Sequence, residues 1–286
     1  MKRILPWLLI ILLLSGCSEQ SSNATPPQYD KIVIAMLDTG ISTTAIDGAF
    51  LLPGYNYVTS TEDTEDRINH GTATASIIVG CESADVAGCY AEVLLLPLVV
   101  TDKVDGEVKS VSSEVLAQAI RDAVDVYGAN IINVSLGIQK DHDKVRNAVA
   151  YALGKGVPVI SAVGNDGDES LYYPAAYDGV LGVGSHNDEG EASKFSQKNE
   201  TVDLLAPGED IWLASRNGAT YGAKGTSYAA AYVSAAVAWI LQDDPTLTVD
   251  QVSQKLYEAA TDIGALGRDD ASGWGILDLE CLMGKN

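Results

Sequence analysis

The segment Gly225-Thr226-Ser227 carries the side chain with the clearest potential for chemistry. It precedes a run at 228–241 that is almost entirely apolar, with Ser234 as its main polar interruption. A helix that is apolar all round lies inside a protein, so we expect Ser227 at the mouth of a buried helix. The free N–H groups and the dipole at such a helix start favour negative charge, which suits a nucleophilic hydroxyl that generates an oxyanion. Taken alone, the triplet is equally typical of an ordinary helix N-terminus.

Three other residues could supply a base, an orienting acid and an oxyanion donor. Asp38 follows the apolar run 31–37, and open α/β sheets place their chemistry just past the C-terminal ends of their strands. Of the three histidines, only His70 precedes a run of small residues that favours a packed helix. Asn165 follows the apolar run 157–163. Each is weak alone, since an Asp at a strand end is more often a turn cap, but together they form a set for acyl transfer.

The elements that must position these side chains alternate along the chain. Short, uninterrupted apolar runs predict strands buried on both faces, and they occur at 31–37, 93–100, 130–134 and 157–163. Helical periodicity occurs at 112–127, 144–153 and 249–260, and shorter strands are predicted at 180–184, 202–206 and 211–214. Strands that alternate with helices imply a parallel sheet covered on both faces. We therefore predict an α/β fold, a three-layer α/β/α sandwich with a mostly parallel central sheet, as one domain over residues 31–286.

Four motifs, taken in order, give the chain a family resemblance. Asp-Thr-Gly at 38–40, His-Gly-Thr at 70–72, Gly-Asn-Asp-Gly at 164–167 and Gly-Thr-Ser at 225–227 resemble those of the subtilases, the subtilisin-like serine proteases. Further matches lie at 133–137, 173–175, 206–208 and 273–275. The order acid, histidine, serine is that of subtilisin. One such motif is common, but five or six in the correct order are specific.

The resemblance implies a serine endopeptidase with polypeptide substrates and a subtilisin-like fold. Asp38, His70 and Ser227 would form the catalytic triad, and the side-chain amide of Asn165 would bind the oxyanion. By the same resemblance, two segments would bind substrate, the first as an added strand and the second as the lining of the pocket for the P1 side chain: Ser135, Leu136 and Gly137, then Ala162, Val163 and Gly164. The small residues of the second segment suggest an apolar P1 side chain.

The sequence departs from the family pattern at several places. Tyr228 and Ala231 stand where the family usually has Met and Pro, and Thr74 replaces an aliphatic residue. The segment 81–89 is shorter than the family's usual calcium loop, so we expect no cofactor; a structural calcium stays open but is not supported by the shortened loop. Because export to an oxidising compartment favours disulfides, we expect one between Cys81 and Cys89, with a contribution of roughly 2–3 kcal/mol.

The first residues have the pattern of a bacterial lipoprotein signal. Two basic residues precede an apolar stretch at 4–14, which is too short to span a bilayer, and the stretch ends in Leu14-Ser15-Gly16-Cys17. This ending resembles the lipobox, so we expect a signal peptide over 1–16 and lipidation of Cys17. Residues 17–30 then form the lipidated cysteine and a flexible tether, and acyl chains on Cys17 would hold the protein to a membrane.

The net charge and the predicted anchor together limit which partners and which location we expect. The chain has 39 acidic against 18 basic residues and a net charge of −21, which repels nucleic acid. We expect a monomer in the bacterial cell envelope, exported and lipid-anchored. By resemblance to enterobacterial lipoprotein sorting, Ser18 after the lipidated cysteine favours the outer membrane, with the domain facing the periplasm.

Two alternatives to a tethered endopeptidase stay open at this point. One is a catalytically idle subtilase fold that serves as a binding or scaffold lipoprotein. It is favoured by the short segment between Cys17 and the first strand, which leaves no room for an inhibitory propeptide, and disfavoured by the complete set of four site residues. The other is a lipase or esterase, which is disfavoured because Ser227 lacks the Gly-x-Ser-x-Gly elbow.

Overall fold

The computed structural model describes residues 25–282, which form thirteen strands and six α-helices. The strands are β1 (Ile32–Asp38), β2 (Tyr55–Asn56), β3 (Val93–Val99), β4 (Asp102–Val104), β5 (Glu107–Lys109), β6 (Ile131–Val134), β7 (Val159–Ala162), β8 (Leu181–His186), β9 (Leu204–Pro207), β10 (Ile211–Ala214), β11 (Thr220–Ala223), β12 (Ala260–Thr261) and β13 (Ile276–Leu277). The helices are α1 (Gly71–Val79), α2 (Ser113–Asp125), α3 (Asp143–Gly154), α4 (Thr226–Asp243), α5 (Val249–Glu258) and α6 (Leu279–Leu282). Short 3₁₀ turns lie at Gly48–Phe50 and Glu82–Ala84.

Nine of these strands form the central sheet, in the order β12-β13-β9-β8-β7-β6-β1-β3-β2. All neighbouring pairs are parallel except β12 and β13 at one edge. Parallel strands require crossover connections, and helices α1, α2 and α3 lie in such connections along the chain. The sheet therefore has the mostly parallel character predicted from the alternation of apolar runs and helical segments.

The side chains of β1 show why its sequence is apolar at every position. Ile34 and Met36 are buried in a core with α1 and α4, whereas Val33, Ala35 and Leu37 are buried in a second core with α2 and α3. A strand covered on both faces has no polar face to present, so the usual alternation is absent. The two cores lie on opposite faces of the sheet, and the predicted three-layer α/β/α fold is confirmed.

The position of β1 in the sheet places its C-terminal end at a switch in strand order. The next sheet strand in sequence with full-length pairing, β3, adds to one side of β1, whereas β6, β7, β8 and β9 add in succession to the other. Crevices that bind ligands form at such points, outside the carboxyl ends of the strands. Asp38 is the last residue of β1, so its carboxylate lies at the opening of this crevice.

Helix α4 is the buried helix expected after Gly225. Fourteen of its residues are buried, among them Thr226 and Ser227 in its first turn. Its polar interruption, Ser234, is satisfied internally: its Oγ lies 3.0 Å from Asn133 Oδ1 and 2.9 Å from the backbone oxygen of Ala230. Burial of a hydroxyl is favourable only with such partners, so this serine ties α4 to β6 at a fixed register.

Two features differ from or add to the sequence prediction. The strand predicted at 211–214 is present as β10, but it pairs with β11 in a separate antiparallel hairpin and not with the central sheet. The chain from β11 leads through Lys224 and Gly225 directly into α4.

Within residues 25–282, no helix is long and apolar enough to cross a membrane.

Candidate active site

Asp38 is held rigidly at the end of β1 with both carboxylate oxygens engaged. It is almost fully buried, and its Oδ1 accepts a hydrogen bond of 2.7 Å from the backbone N–H of Thr39. Its Oδ2 accepts one of 3.2 Å from Thr74 Oγ1, on the first turn of α1. Thr74, a departure from the family pattern, therefore brings a hydroxyl whose one hydrogen is shared between Asp38 Oδ2 and the backbone oxygen of Gly71, at 2.9 Å.

His70 immediately precedes α1 and connects Asp38 with Ser227. Its Nδ1 lies 2.7 Å from Asp38 Oδ1 and its Nε2 lies 2.9 Å from Ser227 Oγ. An ionised carboxylate can only accept a hydrogen bond, so Nδ1 carries the proton and Nε2 is free to accept one from the serine hydroxyl. These distances satisfy the geometric requirement for a nucleophile, a base and a residue that orients the base.

The close approach of α1 to the end of β1 depends on a glycine. A Cβ atom on Gly71 would lie 2.1 Å from the backbone oxygen of Gly40 and 3.2 Å from Asp38 Cβ. The first distance is shorter than any real contact, so a larger residue would push His70 away from Asp38. This packing explains the glycine that follows the histidine in His70-Gly71-Thr72.

The charges around His70 favour its protonated form. Burial of the imidazole opposes protonation, but attraction to Asp38, the hydrogen bond from Nδ1 to Asp38 and the charge of Asp66 together raise the pKa of His70 above its ordinary value of 6.5. A raised pKa makes the imidazole a stronger proton acceptor, which is the property a general base needs. The geometry and the electrostatics therefore point to the same role for His70.

Asp66 is a site residue that the sequence analysis missed. Its carboxylate is fully buried and accepts five hydrogen bonds. Its Oδ1 accepts from Thr39 Oγ1 (2.9 Å) and from the backbone N–H groups of Ile68 and Asn69 (2.9 and 2.7 Å). Its Oδ2 accepts from the N–H and the hydroxyl of Thr72 (2.9 and 2.7 Å). One carboxylate thus joins the residue after Asp38, the loop before His70 and the first turn of α1.

Ser227 is fixed from its backbone as well as through His70. Ser135 Oγ donates a hydrogen bond of 3.2 Å to the backbone oxygen of Ser227 and itself accepts one of 2.8 Å from Asn133 Nδ2. Because Asn133 also contacts Ser234, a buried polar chain connects the end of β6 with the first and third turns of α4. Ser227 lies in the first turn of α4, where backbone N–H groups have no partner within the helix.

Asn165 is placed beside Ser227 by Thr226. Its Oδ1 accepts hydrogen bonds from the backbone N–H (2.8 Å) and the hydroxyl (3.1 Å) of Thr226. With the amide oxygen committed to these donors, its NH₂ group is the part available as a donor. Thr226, which directly precedes Ser227, thus orients the side chain of Asn165, the residue predicted to bind the oxyanion.

The aromatic ring of Tyr228, another departure from the family pattern, packs against the imidazole. The two ring centroids are 5.7 Å apart and the planes are inclined by 33°. Tyr228 is buried, and burial together with the neighbouring Tyr221 raises the pKa of its phenol. The ring therefore stays neutral and covers the side of His70 that faces α4.

The two predicted substrate segments follow adjacent parallel strands. Ser135 is buried, whereas Leu136 is half-buried and Gly137 is exposed at the end of β6. On β7, Ala162 is nearly buried and Gly164 is half-buried. Val163 differs, because its side chain is fully buried in a small core with Ala175, Val202 and Leu205. The side chain of Val163 therefore supports the segment from below and does not line a crevice.

The predicted disulfide between Cys81 and Cys89 is absent from the structure, in which both are free thiols. The Sγ of Cys81 turns towards the backbone oxygen of Ala45, at 3.1 Å. Its backbone pairs with Val86 and not with Cys89, whose N–H donates 2.8 Å to the oxygen of Ile77 on α1. Burial raises the pKa of the Cys89 thiol to about 12. The spacing of the two cysteines suggested a loop closed by a disulfide. In the structure, backbone hydrogen bonds close the loop.

The same segment does not fit a calcium site. Its carboxylates, Glu82 and Asp85, are both exposed. Within residues 25–282, no group of three or more His, Cys, Asp or Glu side chains is arranged to hold a metal ion. A Ca²⁺ site needs six to eight oxygen ligands, more than the two carboxylates of this segment supply.

Comparison with known proteins identifies the family of the chain. The model of the subtilase family matches residues 29–275. The chain belongs to the subtilase family. Membership confirms the predicted enzyme class, a serine-type endopeptidase, and makes polypeptides its substrates.

Individual relatives show how far the likeness extends. The chain is 38% identical to the major intracellular serine protease of Bacillus subtilis (strain 168) over 73% of this chain and 68% of that protein. It is 32% identical to subtilisin Savinase of Lederbergia lenta over 82% of this chain and 85% of that protein. The minor extracellular protease Epr of Bacillus subtilis (strain 168) is 31% identical, but the match spans 86% of this chain and only 37% of that longer protein.

Solved structures extend the same likeness to the fold. The patellamide maturation protease PatA superposes with a TM-score of 0.73 at 30% identity, over 89% of this chain and 98% of that one. Sphericase superposes with a TM-score of 0.74 at 26% identity, over 90% of this chain and 94% of that one. The subtilase fold therefore covers nearly all of the described residues.

Proposed function

We propose that this chain hydrolyses peptide bonds through an acyl-enzyme formed on Ser227. The observation that carries the proposal is the continuous hydrogen-bonded line from Asp38 through His70 to Ser227, with distances of 2.7 and 2.9 Å. Side chains in this arrangement supply the nucleophile, the base and the residue that orients the base. The proposed reaction therefore needs no cofactor.

In the proposed reaction, His70 Nε2 takes the proton of Ser227 Oγ as that oxygen attacks the scissile carbonyl. Asp38 holds the tautomer with the proton on Nδ1 and stabilises the imidazolium that forms. The NH₂ group of Asn165 and the backbone N–H of Ser227 donate to the oxyanion, and His70 returns its proton to the leaving amine. Water then attacks the acyl-enzyme by the reverse sequence, which releases the second product and restores Ser227.

Cleavage-site mapping tests this proposal. Purified wild-type protein and Ser227→Ala are incubated with a denatured proteome, and new termini are identified by mass spectrometry. We expect new termini only with the wild type, because removal of the nucleophile of such a triad lowers turnover by about 10⁶-fold. Equal cleavage by the two proteins would contradict the assignment of Ser227.

We further propose that the enzyme is a monomer, exported and anchored to the cell envelope through lipid on Cys17. Cys17 and the predicted signal peptide lie outside the described residues, so the proposal rests on the lipobox-like sequence Leu14-Ser15-Gly16-Cys17 and the preceding apolar stretch. Attachment to the outer membrane, facing the periplasm, belongs to the same proposal.

Detergent partitioning tests the anchor. Full-length protein expressed in a bacterial host is expected to enter the detergent phase of Triton X-114, and Cys17→Ala to stay in the aqueous phase. Partition of both proteins into the aqueous phase would contradict lipidation. The envelope location is tested by fractionation of the same cells into inner and outer membranes.

A further inference from the structure

The two segments predicted to bind substrate both contact the start of α4 beside Ser227, and we refer to them as the two walls of the proposed substrate crevice. Residues 135–137 and 162–164 continue from β6 and β7, which pair in parallel with Val134 opposite Ser161. Both walls are fixed to the start of α4: Ser135 Oγ donates to the oxygen of Ser227 (3.2 Å) and the N–H of Gly164 to Thr226 Oγ1 (3.3 Å). A residue whose carbonyl carbon sits at Ser227 Oγ has its own side chain within a few bond lengths, at the mouth of this crevice.

The ring of Tyr172 lies between these two walls. A Cβ atom on Gly137 would lie 3.1 Å from Tyr172 Cδ1, and a Cβ atom on Gly164 would lie 2.6 Å from Tyr172 Cδ2 and 2.9 Å from Cε2. Opposite edges of one ring therefore abut the two glycines. The absence of a side chain at 137 and at 164 is what makes room for the tyrosine, so the small residues of the walls are matched to an occupant already present in the chain.

Hydrogen bonds at its outer end hold the ring in this position. The phenol of Tyr172 lies 2.5 Å from Asp166 Oδ2, to which it donates, and accepts 2.8 Å from Gln139 Nε2. The hydrogen bond to Asp166 raises the pKa of Tyr172 above its ordinary value of 10, so the phenol remains a donor at neutral pH. Asp166 follows one wall and Gln139 the other, and the tyrosine therefore bridges both sides of the crevice.

The backbone around Tyr172 is equally constrained. Tyr173 and Ile138 exchange two backbone hydrogen bonds, of 2.8 and 2.9 Å. The loop before Tyr172 is fastened by Gln197, whose Nε2 donates to Asp168 Oδ1 (2.6 Å) and to the oxygen of Ser170 (3.1 Å). If the ring moved out of the crevice, its phenol would lose its hydrogen bonds, while the backbone and Gln197 hydrogen bonds around it stayed in place.

We infer that Tyr172 fills the space for the P1 side chain and restricts cleavage to bonds that follow glycine, alanine or residues of similar size. The inference rests on the proposed function, since it uses Ser227 as the reacting centre, and it refines the expectation of an apolar P1 residue to a small one. A leucine or phenylalanine at P1 has to displace the ring and break its two hydrogen bonds, whereas alanine does not reach it.

The test compares kcat/KM on tetrapeptide p-nitroanilides that differ only at P1, as alanine, leucine or phenylalanine. The wild type is expected to prefer alanine over phenylalanine by at least about 10²-fold, the upper range of discrimination by pocket size. Tyr172→Ala is expected to raise the ratio of kcat/KM for phenylalanine to that for alanine by a similar factor. Tyr172→Phe, which keeps the ring but loses both phenol hydrogen bonds, is expected to show a P1 preference between those of the wild type and Tyr172→Ala.

Tyr151→Ala is the matched control, because it removes the same side chain from α3, on the opposite side of the sheet from α4. Its P1 preference should equal that of the wild type. Cleavage of the phenylalanine substrate by the wild type as fast as the alanine substrate would overturn the inference alone, as would an unchanged ratio in an active Tyr172→Ala. If Tyr172→Ala melts at a lower temperature than Tyr151→Ala, the wild-type ratio decides: equal rates on the two substrates, or a preference for phenylalanine, overturn the inference. Failure of every protein to cleave any substrate would overturn the proposed function together with the inference.

Discussion

Replacement of Asp66 by asparagine separates the two roles that the structure gives this buried carboxylate. The substitution keeps the shape of the side chain, removes its negative charge and turns one acceptor oxygen into a donor. Oδ1 accepts three hydrogen bonds and Oδ2 accepts two, both from Thr72. The amide NH₂ therefore fits best at the Oδ2 position, where the hydroxyl of Thr72 can turn to accept from it.

The expected loss of stability follows from the donor that remains. With NH₂ at the Oδ2 position, the backbone N–H of Thr72, a fully buried residue, faces another donor. A buried donor left without a partner costs about 1–3 kcal/mol. For a domain of this size, 1 kcal/mol corresponds to about 2–4 °C in Tm, so we expect Asp66→Asn to melt about 2–12 °C below the wild type.

The charge effect appears in the pH dependence of catalysis. The charge of Asp66 is one of the causes that raise the pKa of His70 above 6.5. His70 must be neutral to accept a proton, so kcat/KM falls as the pH drops through this pKa. Without the negative charge the pKa of His70 is lower, and the acid limb of the profile moves to lower pH.

Calorimetry and a pH profile of peptide hydrolysis from pH 5 to 9 measure the two effects. Asp178→Asn, which removes an exposed carboxylate from a turn, should leave both Tm and the acid limb unchanged. An acid limb at the wild-type position, or displaced to higher pH, would refute the electrostatic argument. An unchanged Tm would refute the claim that the five hydrogen bonds of Asp66 hold the loop before His70.

Three other outcomes follow from the same contacts. Asn165→Ala should lower kcat by about 10²–10³-fold with a much smaller change in KM, as expected for one oxyanion donor; a change confined to KM would count against that role in steady-state assays. Thr74→Val should lower kcat several-fold, because Asp38 Oδ2 loses a donor at 3.2 Å, and equal rates for the two proteins would show that this contact is dispensable. Since Cys81 and Cys89 are free thiols, dithiothreitol should leave the Tm of the protein unchanged. A drop of several degrees in Tm on reduction would show that the two cysteines do form a disulfide.

Much of the fold could be predicted because its main elements carry strong local signals. The run at 32–37 is apolar at every position, and the structure buries β1 on both faces; the run after Ser227, apolar apart from Ser234 as its main polar interruption, becomes the interior helix α4. The β10–β11 hairpin was only half predicted. The strand β11 (Thr220–Ala223) is half exposed and rich in small residues, so it has no clear sequence signal. The local sequence also does not show that β10 pairs with β11 and not with the central sheet.

The site divides in the same way. Asp38, His70 and Ser227 lie in short motifs whose order along the chain was enough to select them. Asp66 was missed because it is one of four acidic residues between positions 62 and 66, and only the fold shows which of them turns inward. Tyr172 was missed because its contacts are with Gly137 and Gly164, which are distant in sequence and close only after β6 and β7 pair.

The prediction of a disulfide failed for a related reason. Two cysteines eight residues apart around a polar loop are compatible with a bridge, but their side-chain directions depend on α1 and on the chain around Ala45. The structure turns Cys81 towards Ala45 and sets Cys89 beside Ile77. Spacing determines whether a loop can close, and tertiary contacts determine how.

Covalent labelling by a fluorophosphonate tests the central assignment most directly. Such a probe reacts only with a serine whose hydroxyl is activated by a neighbouring base. Labelling therefore reports whether His70 and Asp38 activate Ser227, and the substrate does not have to be known. We predict one adduct per chain, located on Ser227 by mass spectrometry, and its loss in both Ser227→Ala and His70→Ala. No labelling of the folded wild-type protein, or labelling that persists in Ser227→Ala, would contradict the account; the former result would favour a scaffold role.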